Sequence, residues 1–159
     1  MNDILEILEK DARTTPEQIA TMLNMSVEKV QETVEQLERD KVIIRYKTIV
    51  NWEKTGKEMV SALIEVKVSP QRDVGFDAVA ERIYRFPEAR SVYLVSGGYD
   101  LAVQVIGRSM QDVARFVTEK LAPLEGVHGT VTHFLLKRYK EDGDILGEDE
   151  EIQRLPISP

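Results

Sequence analysis

The sequence has no cysteine, one tryptophan and two histidines. Without cysteine there is no disulfide, no thiolate metal site, no iron–sulfur cluster and no cysteine nucleophile. Long apolar runs are missing too, and none approaches the ~20 residues that a membrane-spanning helix needs. The opening MNDILEILEKDARTT mixes charge with apolar residues and lacks the continuous apolar core of a secretory signal. The expected location is therefore the cytoplasm, with no membrane as partner. Glycine loops of the Walker or dinucleotide-binding type are absent, and no nucleophile–base set stands out. His128 and His133 are five residues apart on a strand-like run, an odd separation that sends them to opposite faces and prevents a metal pair within one chain. No cofactor, metal or catalytic residue is expected.

What is present is the mix of a folded protein: 159 residues, 42% hydrophobic and 31% charged, enough for one ordinary domain or two small ones. The net charge of −7 divides unevenly, into −3 over residues 1–60, +1 over 61–138 and −5 over 139–159. The end of the chain, YKEDGDILGEDEEIQRLPISP, shows neither helical nor strand periodicity, so 140–159 reads as a solvated acidic tail.

Residues 1–50 read as helices followed by a strand. Ile4, Leu5 and Leu8 share a face of a first helix that ends near Ala12. Thr15, Pro16 and Gln18 supply a helix start: a cap oxygen, a proline at the first helical position and a capping-box partner. Ile19, Ala20, Met22 and Leu23 form the stripe of that second helix, and Asn24 tolerates the left-handed turn that ends it. Ser26 caps a third helix, with Met25 and Val30 as a hydrophobic staple and Val30, Val34 and Leu37 as its apolar stripe. Two such helices joined by a three-residue turn match a helix-turn-helix. The run Val42-Ile43-Ile44-Arg45-Tyr46-Lys47 then suits a wing strand lying against phosphates. A small helical bundle without a nucleic-acid role is the competing reading.

As a DNA reader the third helix is unusual, because Glu28, Lys29, Gln31, Glu32, Glu35 and Gln36 line its outward face. Gln31 and Gln36 suit adenine edges, Glu32 suits cytosine N4, and Ser26 stands at the helix start. Phosphate anchoring falls to Lys29, Arg39, Lys41, Arg45 and Lys47. So few cations per protomer imply that several protomers act together on double-stranded DNA.

After a linker at 51–58, in which Trp52 reads as an interdomain packing residue, 59–139 alternate strand and helix patterns. Val60, Ala62, Ile64, Val66 and Val68 mark a strand ended by Ser69-Pro70; Phe76, Val79, Ala80 and Ile83 mark a helix. Val92–Ser96 and Leu101–Gly107 flank the turn Gly97-Gly98, and Ser109 with Asp112 caps a helix carrying Val113, Phe116, Val117 and Leu121. Thr130–Tyr139 is the last strand. This β-α-β-β-α-β order predicts a ferredoxin-like sandwich, giving an α+β chain: a winged helix-turn-helix, then a four-stranded antiparallel sheet covered by helices on one side. The bare sheet face, with Met59, Leu63, Ala102 and Ile106 or their alternates, predicts a dimer packed sheet to sheet.

The Leu37-Glu38 pair followed by Val42-Ile43, the linking segment and the Gly97-Gly98-Tyr99-Asp100 turn within a βαββαβ domain resemble the leucine-responsive/asparagine-regulator (Lrp/AsnC) transcription factors, over nearly all of the chain up to Tyr139. The resemblance implies a regulator that binds promoter DNA through its N-terminal domain. It also implies a C-terminal domain that assembles dimers, often into octamers, and binds an amino acid or related metabolite between dimers. Two positions depart from that pattern: Thr33 stands where the family usually has arginine, and Lys41 where a glycine usually precedes the Val-Ile pair.

Within this frame the backbone N–H groups of Gly97 and Gly98 cradle a carboxylate, and Asp100 meets the α-ammonium of the same ligand, with Tyr99 between them. Thr130 and Thr132 line the pocket by resemblance. The plain alternative is a hairpin turn with a solvated Asp100. Two other functions stay open: a haem-pathway decarboxylase on the same two-domain plan, using His133, Arg138 and Tyr139, and an effector-sensing oligomer that has lost DNA binding.

Overall fold

The computed structural model describes residues 1–69 and 75–147. The chain divides into two compact units, Met1–Ile49 and Val50–Pro159.

In the first unit, α1 (Asn2–Lys10), α2 (Pro16–Leu23) and α3 (Val27–Arg39) follow the local signals closely. The Thr15 hydroxyl accepts the Gln18 N–H at 3.4 Å and Gln18 Oε1 accepts the Thr15 N–H at 2.8 Å, which completes the capping box. Asn24 ends α2 at φ 51 and ψ 48, and Ser26 Oγ accepts the Lys29 N–H at 3.2 Å to start α3. The first helix stops at Lys10, short of Ala12, because Asp11 is extended and its carboxylate takes the Arg13 N–H. Ile4, Ile19, Ala20 and Val30 form the core, packed by Leu23 and Val34. Met22 is not part of it, being 64% exposed. Ile19, Ala20 and Leu23 define the inward stripe of α2, and Met22 lies about 100° off its centre.

Beyond α3, Lys41 takes a left-handed φ of 58, and Val42 and Ile43 both donate their N–H groups to the Leu37 carbonyl, at 2.9 and 3.0 Å. The expected wing strand over 42–47 is not formed within the chain. A strand's hydrogen bonds need a neighbouring strand, and the described residues of this unit supply none.

The second unit opens with a 3₁₀ turn at Trp52–Thr55, inside the span read as a linker, with Lys57 Nζ 4.7 Å above the Trp52 ring. It continues through β1 (Val60–Val68), α4 (Asp77–Tyr84), β2 (Ala89–Leu94), β3 (Leu101–Gly107), α5 (Met110–Phe116) and β4 (Val127–Leu135). The helix expected to reach Leu121 gives way at Val117–Leu121 to a π turn, closed by the Ala122 N–H on the Val117 carbonyl. The sheet has order β2-β3-β1-β4, with every neighbouring pair antiparallel. Ala62, Ile64 and Val66 of β1 face Leu101, Val103 and Val105 of β3 in register, and Val113, Phe116 and Leu121 close over that layer with Val79 and Ile83 of α4.

Two strands are displaced from their expected spans, both for want of a partner. β2 covers Ala89–Leu94, not Val92–Ser96, because β3 pairs with it only up to Leu94 opposite Leu101. β4 covers Val127–Leu135, not Thr130–Tyr139, because β1 offers Val68 opposite Val127 and Ser61 opposite Leu135 and nothing further. The start of the supposed tail is also structured. Lys140–Glu141 and Asp144–Ile145 pair as a short hairpin, β5 and β6, and the Asn51 side-chain N–H₂ donates to the Leu146 carbonyl at 2.9 Å. The acidic residues 148–159 lie outside the described residues.

Candidate DNA-binding and effector sites

On the first unit, the outward residues of α3 are exposed, but several are already engaged with one another. Lys29 Nζ lies 3.7 Å from Glu32, and Arg39 bonds Glu35 at 3.4 Å and Gln36 Oε1 at 2.9 Å. Gln36 donates to both carboxylate oxygens of Asp40 at 2.8 Å. These are surface contacts worth a fraction of a kcal/mol each, so an approaching phosphate or base edge can displace them. Gln31 remains available on the same helix. Ser26 is committed as a hydrogen-bond acceptor by its capping role, which leaves its O–H as a donor. Lys41 and Arg45 make no ion pair or hydrogen bond among the described residues through their side chains. Arg45 and Lys47 lie on the irregular run after α3, where Tyr46 donates its hydroxyl to Glu38 Oε1 at 2.9 Å. A concavity of about 530 Å³ is lined by Thr33, Gln36 and Asp40 of the α3 flank together with Met1 and Val42.

On the second unit, the loop between β2 and β3 is closed by the Val95 N–H on the Asp100 carbonyl at 2.9 Å. Gly97 sits at φ 151, where a side chain would be strained, and neither Gly97 nor Gly98 has any atom near the place a Cβ would occupy, so their backbone is open to solvent. Asp100 is not simply solvated. Its N–H donates to the Val66 carbonyl at 3.0 Å and its Oδ2 accepts the Val68 N–H at 2.8 Å, which fastens the loop to the end of β1. Thr130 pairs with Val66 from the other side of β1, so the structure brings Gly97–Asp100 and Thr130 to one end of the sheet. Thr132 is opposite Ile64, two residues further along β4 and away from that end by about 6–7 Å. The sequence did not point to the Val127/Val68 bulge beside this site, where Ser69 Oγ and His128 Nε2 are 3.0 Å apart; bulges depend on pairing that a single strand does not encode.

The uncovered sheet face carries Leu63, Ala102 and Ile106, as read from the alternation, together with Tyr93, Val131 and Leu135. It is less uniformly apolar than expected, because Glu65, Lys67, Gln104 and His133 share it. His133 Nε2 is 3.0 Å from Glu65 Oε1. Among the described residues no three histidine or acidic groups come together as a metal site, and no helix is long and apolar enough to cross a membrane.

Comparison with known proteins bears on what these sites do. A winged helix-turn-helix DNA-binding family model matches residues 2–44, and the Lrp/AsnC ligand binding domain model matches residues 61–145. The chain is 51% identical over 158 residues to the uncharacterized HTH-type transcriptional regulator YugG of Bacillus subtilis, covering 99% of this chain and 95% of that one. The chain belongs to the Lrp/AsnC family. Its fold is that of solved members: the leucine response regulatory protein LrpA of Mycobacterium tuberculosis superposes with a TM-score of 0.74 at 23% identity, over 91% of this chain and 96% of that one. A Neisseria meningitidis transcriptional regulator in complex with L-Met superposes at 0.70 and 23% identity, over 87% of this chain and 89% of that one.

As an Lrp/AsnC protein the chain is a DNA-binding transcriptional regulator with a ligand-binding domain, and the decarboxylase alternative is not favoured. His133 is bonded to Glu65 on the open sheet face, and Tyr139 lies under Lys137 Nζ at 5.0 Å. The two departures from the Lrp/AsnC pattern have structural counterparts. Thr33 turns its hydroxyl back to the Lys29 carbonyl at 2.8 Å, and Lys41 holds the left-handed turn that glycine would adopt without strain.

Proposed function

We propose that this Lrp/AsnC regulator pairs through the open face of its sheet and binds an amino acid or a closely related metabolite at the sheet end formed by Gly97, Gly98, Tyr99, Asp100 and Thr130. Thr132 belongs to the outer margin of that pocket. The ligand carboxylate is held by the amides at Gly97 and Gly98, and its ammonium by the Asp100 carboxylate oxygen that Val68 does not occupy. The observation that carries this reading is the loop itself: two unshielded glycine amides within three residues of a carboxylate already oriented by the strand end. The solved L-Met complex of a structural neighbour supports the ligand class.

Dimers join into a larger assembly, an octamer in the full form, and ligand occupancy changes the geometry between dimers. That change alters which spacing of half-sites on double-stranded DNA the paired α3 helices can reach, with Ser26, Lys29, Gln31, Glu32 and Gln36 toward bases and Arg39, Arg45 and Lys47 toward phosphates. The protein works in the cytoplasm and carries out no catalysis. Because linkage is reciprocal, DNA shifts ligand affinity by the factor that ligand shifts DNA affinity.

Calorimetry with each of the twenty amino acids at millimolar concentration, paired with sedimentation, tests the proposal. Heat from one amino acid together with a ligand-dependent shift in assembly size is the expected result. Absence of heat from all twenty overturns the effector site, and a species of 18.1 kDa alone overturns the pairing.

A further inference from the structure

The sheet end that carries the proposed effector site also gathers three exposed polar side chains to which no role has been given: Lys67 near the end of β1, Ser69 just beyond it and His128 on β4. Asp100 is fastened to the residues on either side of Lys67. Its N–H donates to the Val66 carbonyl at 3.0 Å, and its Oδ2 accepts the Val68 N–H at 2.8 Å. The lysine therefore springs from the same stretch of β1 that orients the Asp100 carboxylate.

Lys67 does not pair with that carboxylate. Its stem lies across Gly129 of β4, with Cβ, Cδ and Cγ at 3.6, 3.8 and 3.9 Å from the place where a side chain on that glycine would begin. A glycine within a strand suits such a close approach. Among the described residues the Lys67 ammonium has no ion pair or hydrogen bond. Two other carboxylates on neighbouring stretches of chain are matched elsewhere. Glu65, on the same face of β1, has His133 Nε2 at 3.0 Å, and Glu125, three residues before His128, has a partner of its own. Ser69 Oγ and His128 Nε2 are 3.0 Å apart, and His128 directly precedes the glycine that the lysine stem crosses.

We propose that Lys67 reads the side chain of the effector, and that the effector is an amino acid with an acidic side chain. The inference rests on the effector site proposed above. In an α-amino dicarboxylic acid the α-carboxylate meets the Gly97 and Gly98 amides, the ammonium meets Asp100 and the second carboxylate meets Lys67, so each ligand charge faces its opposite. A compact ammonium on a flexible four-carbon stem can leave Gly129 and reach the ligand without backbone movement. The Ser69–His128 pair gives that second carboxylate polar surroundings. A neutral side chain leaves the lysine facing water, and a basic one sets like charge against like.

The test is calorimetry on the full-length protein with glutamate and aspartate, their amides glutamine and asparagine, leucine and lysine. One of the two acids is expected to bind about tenfold or more tightly than its own amide, which matches it in shape and lacks the charge. Lys67→Gln removes the ammonium at an exposed position; it should erase the difference between acid and amide and leave the affinity for the amide as it was, a split that general damage to the site would not produce. A wild type that binds leucine, lysine or an amide at least as tightly as the acids, or a preference for the acid that survives in Lys67→Gln, overturns the proposal while the effector site stands. Heat from none of the twenty amino acids overturns the effector site and this inference with it.

Discussion

The Asp100 carboxylate accepts the backbone N–H of Val68 at 2.8 Å, so the residue that ends the β2–β3 loop also holds the end of β1. The two roles proposed for Asp100, holding the fold and meeting a ligand ammonium, use different oxygens of one carboxylate and can be separated. Asp100→Asn keeps an acceptor for Val68 and should cost under about 1 kcal/mol of stability, whereas Asp100→Ala leaves a part-buried N–H unpaired and should cost about 1–3 kcal/mol. Both should lose ligand heat in calorimetry. Equal stability of the two variants in urea titrations would show that the Val68 bond contributes nothing.

Lys41 holds a left-handed backbone at φ 58, a conformation that costs a side-chain-bearing residue about 1–2 kcal/mol and glycine almost nothing. Part of that gain returns to the unfolded state of a glycine variant, so Lys41→Gly should stabilise the N-terminal unit by about 0.5–1 kcal/mol. Helical circular dichroism followed through a thermal melt is the measurement. The same change removes a cation, so duplex affinity should fall as stability rises.

Glu88 is held below the ordinary glutamate value first by its hydrogen bond from Lys120, against a smaller opposing effect of burial. The folded state therefore favours ionised Glu88. Its contribution is present above the unfolded glutamate value and is lost as the pH falls through the lower, folded one. Both side chains are about one-third exposed and Glu88 Oε2 has no hydrogen-bond partner among the described residues, which limits the contribution to about 1 kcal/mol or less. Glu88→Gln should be less stable than wild type at pH 7, with the gap closing in acid. A gap as wide at pH 3 as at pH 7 would assign the loss to packing instead.

Val131 is 51% exposed on the open sheet face, in register with Glu65. Val131→Lys pairs with that carboxylate within one chain, so the fold is kept, but it sets a charge into a sheet-to-sheet seam. Light scattering should show the assembly reduced to the 18.1 kDa protomer, while Val131→Leu stays assembled. Full assembly of the lysine variant would place the seam elsewhere.

The helical starts and stops were legible because their causes are local. Thr15, Pro16 and Gln18 reach one another within a single turn, as do Ser26 and Lys29, and Asn24 tolerates its own φ without outside help. The alternation of β1 likewise foretold which face would be buried, and the Gly97-Gly98 turn was visible because few other residues suit it. Less could be read of the sites. The engagement of Asp100 with Val68, of Tyr46 with Glu38 and of His133 with Glu65 joins residues that are 32, 8 and 68 positions apart, and nothing in the intervening sequence announces the meeting.

By itself the sequence determined the order of elements, their caps, the two-part organisation and the absence of thiol chemistry, all of which follow from residues acting on neighbours within a few positions. Only the tertiary structure decided where β2 and β4 begin and end, that Val42–Lys47 forms no strand with the described residues, and that residues 140–145 turn into a hairpin. The physical reason is the same in each case: a helix satisfies its backbone from within, whereas a strand exists only as far as another strand runs beside it.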